Sequence, residues 1–234
     1  MFLGHFGVGF GAKRVALKVS LGTLILAAEL LDLVFAILLL AGVEHASVKP
    51  GLMAASSLDL YSYPYSHSLA ATLVYSILLG GVYYVVKRDL RSATVVVLAV
   101  SSHWFLDLIM HRPDLPLGFE DGLKVGLGGW NSLPLTILLE LGLFVFGFSL
   151  YLRSTVANDR LGRFGAWALA VVLVVVYFVS QFGPSPPNEQ AVGSTLLLLW
   201  ITVPLGYWID RHRRVVSLHK LLGNSEEVRV LRLI

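Results

Sequence analysis

The sequence predicts an all-α fold, a polytopic membrane helix bundle of about six transmembrane helices with both termini cytoplasmic. Three observations predict it. The 234 residues are 56% hydrophobic and only 14% charged, against about 25% charged in a soluble domain. Six stretches approach the ~20 apolar residues that a bilayer crossing needs. The basic residues alternate from one inter-span segment to the next, as the orientation rule for membrane proteins requires.

In order, the spans are expected at 19–42, 68–86, 92–110, 133–152, 164–182 and 192–209. Lys13, Arg14 and Lys18 precede the first, and Lys87, Arg88 and Arg91 separate the second from the third. Arg153, Arg160 and Arg163 separate the fourth from the fifth, and Arg211, Arg213, Arg214, Lys220, Arg229 and Arg232 follow the sixth. The alternate loops hold only Lys49, Arg112 and Lys124, a split of 15 against 3. Met1 to Ala12 lacks a basic n-region and a small-residue cleavage site, so the first span is expected to anchor the chain. Residues 1–214 then form a single integral membrane domain, and 215–234 a cytoplasmic tail. Cysteine is absent, so any metal must be held by His, Asp, Glu or water. The basic residues follow the membrane rule, so no nucleic-acid partner is expected.

Two spans carry groups that hydrocarbon penalises. Glu29 and Asp32 lie in the first, His103 and Asp107 in the third, each costing on the order of 2.5–3.5 kcal/mol on the milder insertion scale. His103, Asp107 and His111 recur at i, i+4 and i+8, within roughly an 80° arc of one helix face. Counted from the basic edge at about 1.5 Å per residue, Asp32 lies about 21 Å deep, His103 about 18 Å and Asp107 about 24 Å. His67 opens the second span from the other side and reaches the same layer. Such a layer suits a metal site. It also suits hydrogen-bonded pairs that only fix helix packing.

Glu29, one turn from Asp32, and Glu140, about 12 Å into the fourth span, are candidates for a general base or an outer acceptor. Gly7 and Gly11 are spaced for close helix approach. If Gly4–Gly11 forms a short re-entrant helix, His5 rises about 12 Å toward the Asp32 layer. The other arrangement leaves His5 at the interface in water. Among the loops, Tyr63-Pro64-Tyr65-Ser66-His67 and His111-Arg112-Pro113-Asp114 are distinctive, as is a Gly-rich run ending in Trp130-Asn131-Ser132. Asp59 and Asp114 flank these segments and either orient a ligand histidine or are solvated.

Gly4-His5, Glu29-Leu30-Leu31-Asp32, Ser66-His67-Ser68 and Ser102-His103-Trp104-Phe105-Leu106-Asp107 together resemble the membrane-bound metal-dependent hydrolase family, often called YdjM-like. The resemblance covers roughly residues 1–115. The Glu-Leu-Leu-Asp stands where the family has Pro-Asp-x-Asp, and Tyr63-Pro64-Tyr65 where it has an arginine. The family is similar to the zinc-dependent phospholipase C and single-strand nuclease group. The resemblance implies phosphoester hydrolysis at a divalent metal, zinc, with His5, Asp32, His67, His103 and Asp107 as ligands.

Two functions are weighed. In the first, a hydrolase, a metal polarises a phosphoryl or acyl oxygen, Glu29, Glu140 or Asp59 serves as base, and Arg112 pairs with a phosphate. Tyr65 and Asn131 complete the substrate-binding set, and the substrate is a membrane lipid or lipid-linked phosphoester near the outer leaflet of the cell (inner) membrane. In the second, a small-solute or ion transporter, the same acids and histidines relay protons or cations. Against the second stand the lack of an internal repeat and of paired broken spans.

Overall fold

The computed structural model describes residues 1–120 and 122–216. The chain is mainly helical. A short helix α1 (Leu3–Ala12) is followed by α2 (Leu21–Leu40), a hairpin of β1 (His45–Val48) and β2 (Leu58–Ser62), one turn α3 (Pro64–His67), then α4 (Leu69–Lys87) and α5 (Leu90–Met110). Two-residue strands β3 (Leu115–Pro116) and β4 (Lys124–Val125) lead to α6 (Leu133–Ser154), β5 (Thr155–Ala157), α7 (Arg160–Phe182), α8 (Glu189–Leu197), α9 (Thr202–Arg211) and β6 (Arg213–Val215). Val215 still pairs with β5, and residues 217–234, which hold most of the expected tail, lie outside the described residues.

Six helical stretches are long and apolar enough to cross a membrane: Leu21–Leu40, Leu69–Lys87, Leu90–Met110, Leu133–Ser154, Arg160–Phe182 and Glu189–Arg211. Each opens on a side chain that accepts a backbone N–H of its first turn: Ser20, Ser68, Asp89, Ser132, Asp159 and Asn188. Ser, Asp and Asn are the residues that satisfy these otherwise orphaned amides. Outward faces stay apolar and exposed, for example Ile77, Leu78 and Val85 on α4 and Val171, Val175 and Val179 on α7. These are the features of a multi-pass membrane protein. The sixth stretch is broken by a 3₁₀ segment at Leu198–Ile201. Pro204 has no N–H to give the Trp200 carbonyl, so the α-helical ladder fails there.

α2 is the axis. It has the most buried of the six windows and packs on α1, α5, α8 and α9. One apolar core joins it to α1, α6, α7 and α9, and a second joins it to α4, α5 and the β1–β2 hairpin. α1, about 15 Å long, is too short to span and enters the bundle against α6. A Cβ on Gly7 would lie 2.7 Å from the Leu143 carbonyl carbon, and one on Gly11 would lie 3.3 Å from Gly147 Cα. The Gly7/Gly11 spacing thus lets two backbones touch.

The basic segments gather at one end. Lys18 lies 3.8 Å from Asp89 before α5, Lys13 bonds Asp210 of α9 at 2.6 Å, and β5 pairs with β6. The β1–β2 hairpin and the 111–132 loop meet at the other end, where the Ala55 amide donates to the Trp130 carbonyl.

Candidate metal centre

α5 supplies the spine of the site. His103, Asp107 and His111 follow one another by a turn each along its last stretch, all buried. A glycine run secures the helix end: the Leu127 amide donates to the Leu108 carbonyl (2.8 Å) and that of Gly128 to the His111 carbonyl (2.6 Å). Gly128 sits at φ +75°, a conformation that glycine adopts without cost. At Gly129 a Cβ would come within 2.8 Å of the Ile109 carbonyl oxygen.

The other elements bring partners to Asp107. His103 Nε2 is 3.2 Å and His67 Nε2 3.7 Å from its Oδ2, and His111 Nε2 is 3.8 Å away. His5, at the deep end of α1, reaches Oδ1 at 3.1 Å and stacks on His103 with ring centres 3.6 Å apart. The Met1 amine also contacts Oδ1. Asp32 of α2 faces His67 Nε2 at 3.3 Å and His103 Nε2 at 3.9 Å. The five residues His5, Asp32, His67, His103 and Asp107 therefore meet, with ligand atoms in two overlapping triads, His5–His103–Asp107 and Asp32–His67–His103. The Asp32 side chain is the most open of the five, 15% exposed against 4% or less for the rest.

The far nitrogen of three imidazoles is already committed. His103 Nδ1 is 2.7 Å from the Ala28 carbonyl, an acceptor, so it carries the proton. His111 Nδ1 donates to Asp114 Oδ1 at 2.9 Å, and the Tyr63 hydroxyl donates to the same oxygen. His67 Nδ1 is 2.7 Å from Ser66 Oγ, whose own proton goes to Glu44 Oε2 at 2.6 Å. In the neutral rings each Nε2 then presents a lone pair toward the carboxylates of Asp107 and Asp32. His103 Nε2 has no hydrogen-bond partner among the described residues despite its nearness to Asp107. A divalent cation would fit between such lone pairs, and the carbonyl behind His103, the carboxylate behind His111 and the Ser66 hydroxyl behind His67 are the kind of support that a metal-bound histidine uses. The donor set of imidazole and carboxylate suits zinc and similar divalent ions.

The remaining expected site residues divide. Glu29 is fully buried beside the cluster, and neither oxygen has a hydrogen-bond partner among the described residues. Glu140, expected as a base or an outer acceptor, is an acceptor here: its oxygens accept the amides of Phe2 (3.0 Å) and Gly4 (2.8 Å). It caps α1 from across the bundle, where a carboxylate also complements the helix dipole. Asp59, also expected as a base, is tied up in ion pairs. It accepts from Lys49 at 2.5 Å and from Arg112, and Arg112 Nε also donates to Asp114 at 3.0 Å. The hydrogen bond from Lys49 and the charge of Arg112 hold the Asp59 carboxyl below its usual range. Burial works against the Arg112 charge, but Asp114 and Asp59 outweigh it and raise its pKa. Arg112 is thus a latch between the hairpin and the loop that carries Asp114. Tyr65 and Asn131, expected at a substrate, are exposed: Tyr65 is 46% exposed and stacks on Phe119, and Asn131 lies in the turn before α6.

Three contributors were not in the expected ligand set. His111 was visible in the i, i+4, i+8 spacing. Asp114, placed beside its histidine in sequence, was one of two loop acids left open. Glu44 had no local signal, because its partners Tyr65 and Ser66 come from 21 and 22 residues later. Burial pushes the Tyr63 phenol well up, with the Asp114 charge adding to it, so it remains a donor. No family model matches the sequence, and comparison with curated proteins and with solved structures returns no match.

Proposed function

We propose that the protein is a membrane-embedded, metal-dependent hydrolase, related to the YdjM-like family, that acts on a phosphoester or lipid-linked substrate. The observation that carries this reading is the set of three imidazoles whose Nδ1 atoms are held from behind while their Nε2 atoms converge on Asp107 and Asp32. His5, Asp32, His67, His103 and Asp107, with His111, would hold the ion. When bound, a divalent ion such as zinc polarises a phosphoryl or acyl oxygen and makes water a better nucleophile at neutral pH.

The chain's own residues do the rest. Glu29, buried and without a hydrogen-bond partner among the described residues, would serve as the base once a bound cation favours its ionised form. Asp32, the open edge of the cluster, marks the side from which a substrate reaches the centre. Ser66, Glu44 and Asp114 fix the rings. The basic end is assigned to the cytoplasm by the 15-to-3 split of Lys and Arg. Both termini are then cytoplasmic and the centre lies toward the outer leaflet of the cell (inner) membrane, which favours a lipid substrate.

The test is metal content by mass spectrometry on protein purified in detergent, followed by a phosphoester panel. Wild type should retain a divalent ion, and His103→Ala with Asp107→Ala should lose it. Glu29→Gln should keep the ion but lose turnover. Asp32→Asn, a smaller change, should weaken retention if the double variant misfolds. Wild type that binds no added zinc and moves a solute into liposomes would be a carrier, and the hydrolase reading would fall.

A further inference from the structure

The basic end holds a second built feature, far from the histidines along α6 and α7. Leu152, β5, the start of α7 and β6 enclose a cleft of about 480 Å³ lined by Asn158, Arg160, Arg163, Trp167 and Arg213. Three arginines from two segments line it, Arg160 and Arg163 from the first turn of α7 and Arg213 from β6. Arg213 is pinned, donating to Thr155 Oγ1 (2.9 Å), the Gly162 carbonyl (2.6 Å) and the Thr155 carbonyl (3.1 Å), with its guanidinium over the Tyr151 ring. The side chains of Arg160 and Arg163 make no hydrogen bond or ion pair among the described residues. The acid in the lining, Asp159, is already engaged: the Gly162 amide takes Oδ1 at 2.8 Å and His212 Nδ1 lies 2.7 Å from Oδ2. The cleft is therefore cationic, with two side chains free to turn toward an anion.

Its surroundings decide which anion. The cleft adjoins an apolar shoulder on α7, where Leu161, Phe164 and Trp167 are each half or more exposed. A free phosphate gains nothing from such a shoulder, whereas a lipid lays its acyl chain on it. Trp favours the headgroup level, and basic clefts between spans at this face suit anionic headgroups. Guanidinium forks match phosphate oxygens. We propose that this cleft binds the phosphate headgroup of an anionic phospholipid from the adjoining leaflet. The site is independent of the metal centre and needs only that the bundle sit in a bilayer.

Full-length protein in nanodiscs or mixed micelles containing phosphatidylglycerol or phosphatidylcholine tests it, with retained lipid counted by native mass spectrometry. Wild type should keep phosphatidylglycerol in preference to phosphatidylcholine. Arg160→Gln with Arg163→Gln should cut that retention by roughly tenfold, while Arg14→Gln with Arg91→Gln, an equal loss of charge at exposed sites outside the cleft, should not. Lipids with brominated tails should quench Trp167, read as the signal lost in Trp167→Phe, and quench it less in the cleft variant. Equal loss of lipid in both double variants would reduce the effect to diffuse surface charge and overturn the proposal. Displacement of the lipid by millimolar inorganic phosphate would overturn the choice of a lipid. Arg160 and Arg163 are exposed and unbonded, so unchanged thermal unfolding of the variants separates loss of binding from loss of fold.

Discussion

Replacing Gly7 with alanine should detach α1 from the centre it helps to build. A Cβ there would stand 2.5 Å from the Leu143 carbonyl oxygen, 2.7 Å from its carbon and 2.8 Å from the Phe144 nitrogen, all backbone atoms that cannot turn aside. Ordinary contact begins near 3.4 Å, so α1 must withdraw from α6 by about 0.9 Å. Moving as one piece, it would take the Gly4 amide from 2.8 Å to as much as about 3.7 Å from Glu140 of α6, past the limit of a hydrogen bond, and would disturb the 3.1 Å contact of His5 Nε2 with Asp107. Overpacking of this kind costs about 1–3 kcal/mol, of which the better helix propensity of alanine returns up to ~1 kcal/mol. Gly9 is the control on the same helix, since its Cβ would meet Leu24 O at 3.3 Å and Ile25 Cα at 3.4 Å. Gly9→Ala should be neutral or mildly stabilising. Thermal unfolding in detergent gives the energies, and hydrogen exchange over residues 1–12 reports whether the Phe2 and Gly4 amides have lost their acceptor. If Gly7→Ala and Gly9→Ala behave alike in both measurements, the close seat of α1 on α6 is not what positions His5.

Other outcomes follow from the same contacts. Asp114→Asn removes the carboxylate behind His111 and should weaken zinc binding by about 10–100-fold in a chelator competition, as loss of an outer carboxylate does elsewhere; Ser66→Ala should act in the same direction through His67. The Asp59 carboxyl is depressed in the folded chain, so its contribution is present above the ordinary carboxylate pKa of about 3.9 and is lost as pH falls through the lower folded value. Proteolysis of the 111–132 loop should therefore be flat from about pH 5 to pH 8 and rise below about pH 4, and Lys49→Met should bring the rise to higher pH. At the opposite end, Lys13 is buried against Asp210 at 2.6 Å, and Asp210 also accepts from the Leu21 amide and the Tyr151 hydroxyl. Asp210→Asn should lower stability by about 3 kcal/mol, the cost of stranding a buried cation, measured by thermal unfolding against wild type.

The spans were legible because apolar length and the alternation of Lys and Arg between runs are local signals. The meeting of Asp32, His67, His103 and Asp107 was legible in outline because depth follows from counting residues along straight helices. Glu140 was legible as a buried acid that is a base or an acceptor, but nothing in its own helix revealed that the amides of α1 would end beside it. Glu44 was missed because a hairpin folds it back over Ser66, and the β1–β2 pairing has no strong alternation in sequence. Arg112 was read as a phosphate ligand because it carries the right fork, yet Asp59 and Asp114 fill that fork from two separate loops.

The reach of Glu140 has a consequence for how the molecule comes into being. The amides of Phe2 and Gly4 find their acceptor 138 and 136 residues further along the chain. In hydrocarbon without that acceptor they would cost several kcal/mol each, so the opening helix must wait at the surface while later helices thread into the bilayer. His5 is then later to take its place than its position in the chain suggests, and a complete cluster exists only once the helix of residues 133–154 has been inserted.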